Sequence, residues 1–142
     1  MFFNSLEMTA AQYQKQYGKK SEHQIQADCV AWFRRTYPNL KLLLFAIPNG
    51  AVLSGSPAQR AKQGAKLKRE GATPGAADLF LSVPSGDFPG LYIEMKTPKG
   101  SQQKNQKEFE AAVVGQGYGY VIPRSLETFK AVVKKYLITG EY

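Results

Sequence analysis

Apolar positions recur along this chain with two different periods, and the switch between them marks out its elements. Ser21 to Gln24 form a capping-box pattern, and Ile25, Cys29, Trp32 and Phe33 then return at helical spacing. A helix is expected from Ser21 until Pro38 stops it. Leu42 to Ile47 is a continuous apolar run and reads as a buried strand, followed by the turn Pro48-Asn49-Gly50. Ser56-Pro57 looks like a cap and first turn, opening a helix toward Gly71 with Leu67 as its one large apolar residue. Two short strand-like runs follow, Asp78 to Val83 and Leu91 to Lys96, separated by the Pro/Gly-dense stretch 84–90. After the loop 97–101, a helix from about Lys104 to Val114 is expected to bury Phe109, Ala112 and Val113 and to end near Gly115. Tyr118 to Ile122 reads as a strand, and Ser125 caps a last helix bearing Phe129, Val132, Val133 and Tyr136. The order predicts an α/β domain with a central mixed sheet flanked by helices.

Residues 1–20 stand apart. They are polar, with Tyr13 and Tyr17 spaced to share a helical face and Lys15, Lys19 and Lys20 nearby, and read as an arm or short helix. The division is therefore 1–20 and a single domain over 21–142, since 142 residues suffice for one sizeable core but hardly two.

Composition narrows the function classes. With 43% apolar and 21% charged residues the chain is an ordinary globular sequence. Its 19 Lys and Arg against 11 Asp and Glu give +8, which favours polyanionic partners, nucleic acid first. One cysteine, Cys29, excludes an intrachain disulfide or multi-cysteine zinc site. The lone His23 sits in no motif for nucleophilic catalysis and reads as a surface or packing residue. No secretory signal is visible at the N-terminus and no apolar run could span a bilayer, so a cytoplasmic location without membrane partners is expected.

The chemistry concentrates at the two short runs. Side chains alternate along a strand, so Tyr92, Glu94 and Lys96 share one face. A hairpin folding about Gly86 or Asp87 places Asp78 opposite Glu94 or Lys96, and either centre keeps all three polar groups on that face. Two carboxylates held ~5 Å apart repel unless a cation lies between them. Two acids and a lysine in one place suggest a divalent-metal site for phosphodiester cleavage.

These segments, taken in order, resemble the VRR-NUC (virus-type replication-repair nuclease) family of the PD-(D/E)XK, restriction-endonuclease-like superfamily. The resembling stretches are Ser21 to Gln26, Phe45 to Gly50, Gly64 to Leu81, Gly90 to Lys96 and Gly115 to Tyr118. The likeness runs from Ser21 to about Leu137. It implies a restriction-endonuclease-like fold and a Mg²⁺- or Mn²⁺-dependent nuclease. Its catalytic positions fall on Glu22, Asp78, Glu94, Lys96 and Gln106, with Gln103 as a substitute for the last. By the same analogy the metal is held by Asp78, Glu94, the carbonyl of Met95 and Glu22. Ala77 departs from the proline often found there, a position whose side chain coordinates nothing. The resemblance also implies a homodimer acting on branched DNA such as Holliday junctions. Arg60, Lys62, Lys66, Lys68 and Arg69 on the basic helix, with Lys99, Lys104 and Lys107, are candidates for backbone contact. Two other readings fit the charge: a non-catalytic nucleic-acid-binding module, and a sequence-specific restriction-type endonuclease.

Overall fold

The computed structural model describes residues 20–48 and 53–142. The expected arm over residues 1–20, save Lys20, and the Asn49-Gly50 part of the turn lie outside the described residues. Among the described residues the order is α1 (Glu22–Thr36), a 3₁₀ turn (Pro38–Leu40), β1 (Leu44–Ala46), α2 (Pro57–Arg69), β2 (Leu79–Leu81) and β3 (Leu91–Ile93). Then come α3 (Lys104–Gly115), β4 (Gly119–Val121) and α4 (Leu126–Thr139).

Local signals set the helix boundaries. The Gln24 amide donates to the Ser21 hydroxyl at 3.3 Å while the Gln24 side chain accepts from the Ser21 amide at 3.0 Å, satisfying two otherwise orphaned donors. Ser56 and Gln59 repeat the device at α2, with Pro57 at its first position. Pro38 ends α1, because the residue before a proline is pushed out of helical geometry. Ser125 caps α4, which stops at Gly140 with φ +71°. A Cβ on Gly140 would collide with the backbone of Gly86, so the hairpin tip rests directly on the end of α4.

The four strands lie in the order β1-β2-β3-β4, antiparallel for the first two pairs and parallel for the last. One face carries Leu44, Leu79, Leu81, Leu91 and Ile93 and packs against α1 and α4 through Cys29, Phe33, Phe129, Val133 and Tyr136. Cys29 is fully enclosed there, and burial pushes its thiol up to about 12. The opposite face carries Phe45, Phe80 and Tyr92, whose rings touch in sequence; Tyr92 meets Phe109 of α3 edge-on at 5.3 Å.

Two burial expectations are corrected. The run Leu42 to Ile47 is not a buried strand: only Leu44 to Ala46 are extended, Leu42 and Leu43 are exposed in the turn that leads into β1, and Phe45 is exposed because β1 is the edge of the sheet. In α3 no residue is fully buried and Ala112 is exposed, because that helix covers its face of the sheet mainly through the half-buried Phe109 and Val113.

Candidate active site and metal centre

The register Leu79 to Ile93, Phe80 to Tyr92 continues one step to set Asp78 opposite Glu94. The turn closes at Gly86-Asp87, where Ser85 and Phe88 exchange both backbone hydrogen bonds and Gly86 takes φ +56°. Between that pair and the ladder the first arm carries one residue more than the second, and this extra residue shifts the register by one, so that Asp78 falls opposite Glu94 rather than Met95. Glu22 arrives from the first turn of α1. One carboxylate oxygen from each of Glu22, Asp78 and Glu94 lies within 4.8 Å of the others.

The surroundings hold these acids in fixed orientations. The amide of Met95 donates to Asp78 Oδ2 at 2.7 Å. Gln106 Nε2 donates to Glu94 Oε1 at 2.9 Å, while Gln106 Oε1 accepts from the Gln103 amide at the start of α3. A single side chain thus caps a helix and holds a site acid. Lys96 Nζ lies 3.7 Å from Glu94 Oε1, and both residues are buried, at 7% and 1% exposed. Among the described residues Glu94 Oε2 has no hydrogen-bond partner.

Burial and the neighbouring Asp78 push the Glu94 carboxyl from 4.5 up to about 8, against the pull of Lys96. Asp78 is also raised, chiefly by burial, with the Met95 amide and Lys96 opposing. Three acids facing one lysine make a site with more negative than positive charge. A cation-free protein should therefore lose stability as pH rises from about 4.5 to 8, because the folded state keeps a proton on Glu94 that the unfolded chain has released. Melting in chelator should show a falling Tm over that range, and Mn²⁺ should raise Tm more at pH 8.5 than at pH 6. A flat profile in chelator would contradict this.

The donor set fits a hard divalent ion. Every candidate ligand is oxygen, as Mg²⁺ and Mn²⁺ prefer, and the buried unpartnered Glu94 Oε2 is the atom a cation would satisfy. The acids open into a cleft of about 530 Å³, also lined by His23, Gln26, Gly75 and Asn105. Asn105 Oδ1 is a second buried oxygen without a partner among the described residues.

Glu22, Asp78, Glu94, Lys96 and Gln106 are thus brought together, and Gln106 rather than Gln103 contacts the acids through its side chain. The Met95 side chain is buried, with its backbone amide on Asp78. Arg60, Lys62, Lys66, Lys68 and Arg69 are exposed along α2, and Lys99, Lys104 and Lys107 are exposed elsewhere. None of them lines the carboxylate cleft. The sequence reading missed Asn105, Gln26 and the cleft position of His23. Gln26 was open to discovery, since it follows Glu22 by four and shares its helical face. Asn105 gave no such signal.

No family model matches the sequence, and no curated protein matches it. Among solved structures, one described as a VRR_NUC domain protein superimposes with a TM-score of 0.72 at 23% identity, covering 87% of this chain and 93% of that one. The chain has the fold of that protein.

Proposed function

We propose, from the fold shared with a VRR_NUC domain protein and the acids assembled on it, that this chain is a metal-dependent, structure-selective DNA endonuclease acting as a homodimer on branched DNA such as Holliday junctions. The observation that carries the reading is the trio Glu22, Asp78 and Glu94, with a buried Glu94 oxygen unpartnered among the described residues and a buried lysine alongside. A binding module gains nothing from acids turned toward a phosphate.

Asp78, Glu94, the Met95 carbonyl and Glu22 would hold Mg²⁺ or Mn²⁺. When bound, such an ion polarises a phosphate oxygen and lowers the pKa of water. The remaining work falls to side chains. Met95 and Gln106 lock the two central carboxylates, so the site is organised before substrate arrives. Lys96 supplies the positive charge that offsets charge growing on the phosphate oxygens or orients the attacking water. Asn105 offers a further acceptor to a bound water. Arg60, Lys62, Lys66, Lys68 and Arg69, with Lys99 and Lys104, contact the DNA backbone, a sequence-independent interaction consistent with selection by shape. A two-fold dimer matches a junction with two cut strands.

The test is cleavage of linear, flap and four-way DNA with Mg²⁺, Mn²⁺ or chelator. Four-way DNA should be cut fastest, only with metal, leaving 5′-phosphate and 3′-hydroxyl ends. Binding without cleavage on any substrate would indicate the non-catalytic module, and discrete cuts at one sequence in linear duplex the restriction-type enzyme.

A further inference from the structure

We propose that an apolar pocket adjoining the carboxylate cleft receives an unstacked nucleobase of the strand whose phosphate lies at the acids; the inference rests on the nuclease reading above. The pocket measures about 520 Å³ and lies between the end of α2, β3 and α3, with Leu67, Tyr92 and Phe109 among its walls. Ile47, Pro48 and Ala76 line both this pocket and the carboxylate cleft, so the two adjoin.

The chemistry of the walls selects the occupant. Among the described lining residues the one charged group is Glu70, an acid, so a phosphate is disfavoured and a flat neutral ring is suited. Glu70 and Thr73 offer polar groups to the edges of such a ring. Aromatic side chains bind bases of any sequence through their π-faces, which agrees with selection by DNA shape rather than by sequence.

Position agrees with chemistry. Tyr92 precedes Glu94 by two residues on the same strand face, a rise of about 6.6 Å. A base in the pocket and a phosphate at the carboxylates can then belong to the same short stretch of one strand. In stacked duplex no base is free to enter. Near a branch point, bases unpair and unstack at lower cost, so the pocket would favour branched over linear DNA.

The experiment compares a short single-stranded deoxyoligonucleotide with an abasic strand of equal length and charge. Binding is followed by fluorescence anisotropy in Ca²⁺ to suppress cutting. The wild-type protein should bind the base-bearing strand about tenfold or more tightly. Leu67→Trp, which fills the pocket from a half-exposed helix position, and Phe109→Leu, which removes the ring but keeps an apolar side chain, should each bring that ratio near one. Equal affinities in the wild type, or a preference unchanged in both variants, would overturn the proposal. The readout needs no cleavage. A protein that prefers bases but never cuts would refute the nuclease reading alone, and one that cuts without preferring bases would refute only the pocket.

Discussion

Asp78→Asn is expected to lower Mn²⁺-dependent cleavage of a four-way junction by about 10³-fold or more, while binding to the same DNA changes by a few-fold at most. The substitution keeps the shape of the side chain and an oxygen to accept from the Met95 amide, so the hairpin should survive. What it removes is one negative charge beside Glu94. With chelator at pH 8 the variant should melt at a higher temperature than the wild type, because one of the mutually repelling acids is gone. The same change should shrink the rise in Tm on adding Mn²⁺. Loss of cutting, a gain in metal-free stability and a smaller metal response together identify a ligand. A variant that cuts within tenfold of wild type would remove Asp78 from the chemistry.

The largest effect on stability is expected at Phe33→Ala, at about 3–5 kcal/mol. Phe33 is fully buried between α1, the sheet and α4 and packs against Tyr37 at 5.3 Å. Removing its ring forfeits the transfer free energy and leaves a cavity that neighbouring side chains cannot fill without leaving their rotamers. Domains of this kind have only about 5–15 kcal/mol in total, so the urea midpoint should fall steeply. Leu42→Ser is the matching control. Leu42 is 81% exposed in the turn before β1, and its loss should change stability by about 0.5 kcal/mol or less.

The sequence carried the centre of the site because strand periodicity puts alternate side chains on one face. A hairpin centred on Gly86 or Asp87 puts Asp78 and Glu94 on the same face; the turn instead closes between those two residues, and the extra residue on the first arm, which no local pattern announces, restores the expected pairing. The caps at Ser21, Ser56 and Ser125 were equally legible, since each is a local hydrogen-bond pattern. Burial was harder to read. Leu42 to Ile47 is apolar throughout, yet whether such a run is central or at an edge depends on strand order, which no local pattern encodes. Ala112 shows the same limit, because a helix can present an apolar position to a surface its neighbours do not reach. Gln106 came from family resemblance alone: nothing in its surroundings in sequence announces that it will bridge Gln103 and Glu94. The basic residues of α2 were legible as a charged face, but their relation to the cleft was not.

The enclosure of Cys29 has a practical consequence. The chain has no second thiol, and this one is sealed within the core and held in its unreactive protonated form at neutral pH. A cysteine placed anywhere on the surface would therefore be the sole target of a maleimide dye, with no need to delete the native residue first. Fluorophore pairs on two copies of the chain, or between protein and oligonucleotide, could then test association and report strand geometry in a wild-type interior.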